Sequence, residues 1–400
     1  MQIYLDHNST APLHPGAAAV WQEMSREAWP ANPSSIHWAG RAARRRLTKA
    51  RETIAHLLGV SARELFFTAS GTEANATALR GTIQLAPPGR RRVLVSGIEH
   101  PSVLRTLEAI ARERPDVKVE TMAVNRSGVL DLKSVEPQLS SDVLLVSLML
   151  ANNETGALQP VSELALRARA HGALVHCDAA QALGKIPVDL AALGADLVTG
   201  GGHKFGAGLG MGLLVIRRGV PMAPLLPGHQ ENGQRGGTEN VVAVVAAAAA
   251  LEAALAELDG LRGEGARIAK LRDRLEQGLL ARVPETSVHG ADAPRLPNTS
   301  AVRFSGAEGE AVLIGLDLEG IAASTGAACA AGSIEPSHVL LAMGVPAVEA
   351  MTSLRFSLGS STTEAEIDRV LEVVPRVVAS VRRYAFDPED EPVRPTLTPE

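Results

Sequence analysis

Short apolar runs alternate with longer segments of helical periodicity over most of the chain. Ile3-Tyr4-Leu5 reads as a strand before the polar loop Asp6 to Pro12. Ala17 to Glu27 reads as a helix stopped by Pro30. Ala39 to Leu58 is a long amphipathic helix, with Ala43, Leu47, Ala50, Ile54 and Leu57 recurring near helical spacing and Gly59 as its stop. The pattern then predicts strands over Leu65–Phe67, Arg92–Ser96, Val143–Leu150, Leu174–Asp178, Ala195–Val198 and Gly212–Ile216. Helices over Ala74–Leu85, Ser102–Arg112 and Val161–His171 separate several of them. Strands alternating with helices imply a mainly parallel sheet covered by helices. After the irregular stretch Pro221–Thr238 comes an alanine-rich helix, Val241–Leu258, and a hinge at Gly260-Leu261-Arg262. Beyond it lie helix Gly265–Val283, strand Ser300–Phe304, helix Gly309–Leu316, a small-residue loop Ala322–Gly332 and strand Ser353–Ser357. Thr363 and Glu366 have capping-box spacing at the start of a last helix ending near Val381. Asp387 to Glu400 is acidic and proline-rich, the composition of a disordered tail.

Composition narrows the class. At 400 residues, 46% hydrophobic and 21% charged, the chain is expected to be globular with more than one domain. A net charge of −5 argues against a nucleic-acid binder. The longest apolar run, Val241 to Leu251, is alanine-dominated and stops at Glu252, so no membrane span is expected. The start of the chain lacks the basic and apolar regions of a secretion signal. Two cysteines, Cys177 and Cys329, make no disulfide framework, and a reduced cytoplasmic compartment fits them.

Candidate chemistry gathers behind the strands. Lys204 lies in Gly200-Gly201-Gly202-His203-Lys204-Phe205-Gly206, and no other lysine is so surrounded by glycine. A lysine in a dry pocket sheds its proton more readily and becomes an amine nucleophile of the kind that binds pyridoxal phosphate (PLP). On this segment alone, a glycine turn with an exposed lysine is an equal reading. Thr68-Ala69-Ser70-Gly71-Thr72-Glu73, between a strand and a helix, has the layout of a phosphate site or of an ordinary helix cap. His100 follows one strand end and Asp178 closes another, with Gln181 three residues on. A carboxylate there suits a pyridine nitrogen. Cys329 sits in a small-residue loop, where a reactive thiol is expected, whereas Cys177 in a strand reads as core. Arg355 interrupts an apolar strand; its partner is an internal acid or a substrate carboxylate, and the strand alone favours the internal acid.

Taken together, these segments resemble the class V aminotransferase family of fold-type I PLP enzymes, and within it the cysteine desulfurases. The resemblance runs from Tyr4 to about Val381. It rests on Tyr4-Leu5-Asp6, Asn32-Pro33-Ser34-Ser35 with His37, Phe67-Thr68, Gly71-Thr72-Glu73, Glu99-His100 and Asn152-Asn153-Glu154-Thr155-Gly156. It continues through Asp178 with Gln181, Gly202-His203-Lys204, Arg235 with Gly237-Thr238, Cys329 with Glu335-Pro336-Ser337, and Arg355-Phe356-Ser357-Leu358-Gly359. The resemblance implies that Lys204 carries PLP as a Schiff base and later moves the substrate's α-proton. It implies that His100 stacks on the ring, Asp178 faces the pyridine nitrogen and Gln181 the ring hydroxyl. Gly71, Thr72 and His203 would hold the phosphate, and Thr238 would reach the phosphate of a neighbouring subunit, so a homodimer is implied. Asn153 and Arg355 would bind the carboxylate of L-cysteine, and Cys329 would accept its sulfur as a persulfide. No metal is implied. The spacing from Cys329 to Glu335-Pro336-Ser337 resembles desulfurases that serve iron–sulfur assembly, so a sulfur-acceptor protein such as an iron–sulfur scaffold is the expected partner, with tRNA thiolation an alternative destination.

The implied architecture is an α/β fold in four parts: a segment 1–15 packing with the small domain, a PLP-binding domain 16–260, an α+β domain 261–385 carrying the cysteine loop, and a tail 386–400. Where relatives carry Ser or Thr two residues before the histidine of Gly-His-Lys, this chain has Gly201. One phosphate hydroxyl bond is thereby lost, about 0.5–1.5 kcal/mol, unless Ser70 or Thr199 replaces it. Selenocysteine lyase and class V aminotransferase are sibling alternatives; a PLP-binding scaffold with weak catalysis is the alternative of another class.

Overall fold

The computed structural model describes residues 2–26, 31–258, 263–326 and 335–384. Cys329, the hinge at 260–262 and the tail 386–400 lie outside the described residues. The chain opens with β1 (Ile3–Tyr4), α1 (Pro15–Ser25), α2 (Trp38–Leu57), β2 (Leu65–Thr68), α3 (Gly71–Gln84), β3 (Arg92–Ser96), α4 (Pro101–Glu113) and β4 (Lys118–Met122). It continues with α5 (Leu132–Val135), β5 (Val143–Ser147), α6 (Val161–Ala170), β6 (Leu174–Asp178), β7 (Leu197–Gly201), β8 (Gly212–Ile216) and α7 (Val241–Glu257). The remainder is α8 (Glu264–Arg282), β9 (Thr286–His289), β10 (Thr299–Phe304), α9 (Gly309–Leu318), β11 (Ile321–Ala322), α10 (His338–Ala342), α11 (Ala347–Ala350), β12 (Ser353–Ser357) and α12 (Glu364–Tyr384).

Seven strands form the large sheet in the order β2-β8-β7-β6-β5-β3-β4. β8 alone runs against its neighbours; the pairs β7/β6, β6/β5, β5/β3 and β3/β4 are parallel. Strand alternation sends Leu94 to the face covered by α2, α6 and α7, and Val93 and Val95 to the face covered by α3 and α4. Both faces are therefore apolar, which is why β5 reads as an unbroken apolar run, all five residues buried. A second core forms where α8, α9 and α12 pack on the antiparallel sheet β12-β10-β9, joined by Ile3 and Leu5 from the start of the chain. β1 pairs in parallel with β11, with Ile3 opposite Ile321, so the first residues belong to this second core.

Periodicity located these elements well and their ends less well. α3 begins at Gly71 rather than Ala74, because Ser70 caps it, its hydroxyl accepting from the Glu73 N–H at 3.1 Å. The β5 ladder stops at Ser147, and the apolar residues beyond it lead into the site loop. β4 carries Lys, Glu and Thr as a half-exposed edge strand, so no apolar run announces it. The capping box at Thr363 is present, with Thr363 N–H donating to Glu366 at 2.7 Å and Glu366 N–H to the Thr363 hydroxyl at 3.3 Å.

Candidate active site

The carboxyl ends of the parallel strands meet at one edge of the large sheet. β6 ends at Asp178, β7 leads into His203-Lys204, β3 into Glu99-His100, β5 into Met149–Asn153, and β2 into the start of α3. These segments line a cavity of about 260 Å³ bordered by Gly71, Thr72, His100, Asn153, Asp178, Gln181, Gly201, His203 and Lys204. A crevice outside the carboxyl ends of strands is where open α/β sheets bind ligands.

Asp178 forms one wall. It is 6% exposed, accepts from Asn75 Nδ2 at 2.8 Å and from the Ala180 N–H at 2.9 Å, and so is held in one orientation. His100 caps α4: its Nδ1 accepts from the Ser102 N–H at 3.1 Å and lies 2.8 Å from the Ser102 hydroxyl. Burial, opposed by the charge of Asp178, lowers its pKa. Gly71 and Thr72 are the first two residues of α3, so their N–H groups have no acceptor within the helix and point toward the anion-attracting end of its dipole. His203 Nδ1 lies 3.1 Å from the Thr10 hydroxyl, and burial followed by the charge of Lys204 pushes its pKa down to about 4.

Lys204 sits in a short 3-10 turn, Gly202–Phe205, closed by Gly206 in the left-handed region at φ 80°. That position needs glycine, because a Cβ there would lie 2.9 Å from the Pro12 carbonyl oxygen. The Lys204 amine donates to the carbonyls of Asn8 (2.6 Å) and Ser9 (2.9 Å). Burial first, then the charge of Arg355, lowers its pKa to about 8, with Asp178 and Asp6 opposing.

The remaining candidates divide. Gln181 reaches the cavity while donating to the Asn8 carbonyl at 2.9 Å. Arg355 is 4% exposed and pairs with Asp6 at 2.6 Å, the internal acid that the strand alone favours. It also donates to Ser9 Oγ (2.9 Å) and to the Asn153 carbonyl (3.0 Å), and its Nε has no partner among the described residues. Thr238 is exposed and lines a separate hollow with Asn32, Trp38 and Arg46, away from its own chain's Lys204 cavity. Arg235 ties that loop to the start of α3 by its ion pair with Glu73 at 2.8 Å.

Of the two expected compensations for Gly201, one is corrected. The Ser70 oxygen accepts from the Glu73 N–H, which leaves its O–H to donate, and Ser70 borders the cavity. The Thr199 hydroxyl donates to Asn75 Oδ1 at 2.5 Å and lies 3.1 Å from His176 Nε2, so it braces Asp178 from behind rather than reaching an anion. Cys177 is wholly buried, and burial raises its thiol pKa well above the ordinary range, as befits a core residue. Sequence reasoning missed Asn8 and Lys185, both of which bond into this site. The signal available was Lys185 directly after a glycine, four residues beyond Gln181.

The donor set fits PLP. It supplies a fixed acid for a ring nitrogen, free amides for a phosphate and an amine for an aldehyde, around a single cavity. The family described as "Aminotransferase class-V" matches residues 3–370.

The chain belongs to the class V aminotransferase family.

This family is PLP-dependent in general. The chain is similar to a cysteine desulfurase of Cereibacter sphaeroides, 45% identical over 95% of this chain and 97% of that protein. It is 42% identical to the cysteine desulfurase NifS of Azotobacter vinelandii, over 96% of this chain and 94% of the other. Among solved structures, one titled NifS-like protein superposes with a TM-score of 0.87 at 34% identity, covering 95% of this chain and all of that one. No helix among the described residues is long and apolar enough to cross a membrane.

Proposed function

We propose that this class V family member is a PLP-dependent cysteine desulfurase, converting L-cysteine to L-alanine and leaving the sulfur as a persulfide on Cys329. The observation that carries this reading is the convergence of Lys204, Asp178, His100 and the start of α3 on one cavity, in a chain 45% identical to a cysteine desulfurase.

PLP, when bound, supplies an electron sink for the pair left at the substrate's α-carbon. Asp178 would stand beside the ring nitrogen, its orientation fixed by Asn75 and Ala180. Gly71, Thr72 and His203 would hold the phosphate, Gln181 the ring hydroxyl, and His100 would cover the ring. Asn153, which borders the cavity, and the Arg355 guanidinium, which donates to the Asn153 carbonyl, would take the substrate carboxylate. With a pKa near 8, about a tenth of the Lys204 amine is neutral at pH 7, which suits a group that takes a proton from the α-carbon and returns it. Cys329, as thiolate, attacks the substrate sulfur. The new S–S bond forms as the C–S bond breaks, and the carbon keeps the electron pair and takes a proton to give alanine. Exposed Thr238 would complete the phosphate site of a second copy, making the working unit a homodimer. The persulfide then passes to an acceptor protein such as an iron–sulfur scaffold, in a cytoplasm that keeps thiols reduced.

The test is alanine release from L-cysteine, with and without reductant, combined with mass spectrometry of the Cys329 peptide. A mass increase of one sulfur on that peptide is expected. If Cys329→Ser still forms alanine at the wild-type rate with L-cysteine, the thiol has no part in the reaction and the proposal fails.

A further inference from the structure

Seven hydrogen bonds converge on Asn8, a residue 1% exposed in the turn after β1. Its N–H donates to the Ser357 hydroxyl (2.9 Å), and its side-chain nitrogen to the Asn153 carbonyl (3.1 Å) and the Thr299 hydroxyl (2.9 Å). Its side-chain oxygen accepts from Lys185 Nζ (2.8 Å) and Asn298 Nδ2 (3.0 Å). Its carbonyl accepts from Gln181 Nε2 (2.9 Å) and Lys204 Nζ (2.6 Å). Every donor and lone pair of the residue is used. The partners come from the large sheet's edge and from the small sheet, so one residue, by its side chain and its main-chain carbonyl, ties both cores to the Lys204 amine.

Lys185 sets the sense of this network. Its amine donates to Asn8 Oδ1 and, at 2.5 Å, to Gln181 Oε1. A lysine only donates in such contacts, so both amides must turn their oxygens toward it. That in turn aims the Gln181 NH2 at the Asn8 carbonyl and the Asn8 NH2 at Asn153 and Thr299. Lys185 does not border the 260 Å³ cavity; it lines a separate hollow of about 390 Å³ that also touches Lys204. Burial, then the charge of Lys204, holds its pKa well below the ordinary lysine range, and the two amide oxygens it meets take its N–H groups in place of water.

We propose that Lys185 is a positioning residue: by fixing the orientation of the Asn8 and Gln181 amides, it seats the Lys204 amine against the carbonyls of Asn8 and Ser9. Its effect on turnover rests on the reading of Lys204 given above; its effect on the 5–11 loop does not.

The experiment compares the PLP-loaded full chain with Lys185→Met, Asn8→Ala and the double variant. For Lys185→Met, kcat is expected to fall about ten-fold with KM for L-cysteine changed less than about two-fold and cofactor content unchanged, the pattern of a displaced reacting group. Hydrogen exchange read by mass spectrometry is expected to speed up in the 5–11 segment and to stay at the wild-type rate in β5 and β6. The double variant is expected to lose no more than the worse single one, because both act along one path. Wild-type kcat in Lys185→Met, multiplicative losses in the double variant, or unchanged exchange at 5–11 would each overturn the proposal. Where Lys185→Met does not fold, Lys185→Arg, which keeps a donor, and Asn8→Ser are read by the same measurements. If the wild-type chain releases no alanine from L-cysteine, the desulfurase reading falls, while the exchange comparison still decides the role of Lys185.

Discussion

Replacing Arg355 by methionine separates two roles that share one side chain. The guanidinium is 4% exposed, and methionine would delete its bonds to Asp6 (2.6 Å), Ser9 (2.9 Å) and the Asn153 carbonyl (3.0 Å). Breaking a buried ion pair costs about 3–5 kcal/mol. The Asp6 side chain retains 19% exposure, so water partly compensates and the lower end, about 3 kcal/mol, is expected. A substrate carboxylate on the guanidinium adds a charged hydrogen bond, about 1.5–3 kcal/mol, or roughly ten- to a hundred-fold in affinity. The assay therefore pairs urea unfolding with the KM for L-cysteine and with inhibition by 2-aminoethanethiol, which lacks the carboxylate. Arg355→Met is expected to raise KM for L-cysteine ten-fold or more and to leave inhibition by the amine thiol nearly unchanged (within about two-fold). Asp6→Asn, which spares the guanidinium, is expected to lower stability without raising KM. If Arg355→Met unfolds more easily yet keeps its KM within about two-fold, Arg355 is a strut and its assignment to the substrate is wrong.

Gly201→Ser should tighten PLP about two- to ten-fold, the value of one hydrogen bond. Gly201 is extended (φ −133°, ψ 123°) and an added Cβ would make ordinary contact at 3.4 Å with the His203 ring, so serine fits; equilibrium dialysis of the cofactor checks it. Acid should destabilise the cofactor-free chain between about pH 6.5 and 4, because burial lowers His7, His176 and His203 to about 4. In that window the unfolded chain binds more protons than the folded one, so stability falls as pH falls; urea midpoints at stepped pH measure the slope, and a flat profile contradicts it. Arg51→Met should cost about 3–5 kcal/mol, since it strands Glu231, whose side chain is 2% exposed and paired at 2.6 Å; a urea midpoint within error of wild type would reject this.

Much of the candidate site was legible because its residues follow strands. Asp178, His100, Gly71-Thr72 and Lys204 each end or follow an apolar run, and a parallel sheet aligns such ends on one edge without further instruction. The stretch before α3 could be read as a helix start; that Ser70 is its cap, accepting from the Glu73 N–H, is a property of the fold. Arg355 called for a carboxylate partner; that the partner is Asp6, 349 positions away, is a property of the fold.

Sequence alone determined the type and order of the main elements, because burial imposes a period of two on strands and about 3.6 on helices, and that period is written locally. Tertiary structure decided which polar groups saturate one another. Asn8 and Lys185 look like loop residues in the sequence, yet they meet 177 positions apart beneath the Lys204 amine. No periodicity encodes such a contact, because a buried hydrogen bond requires only that two groups be brought to the same place, and the packing of both cores does that.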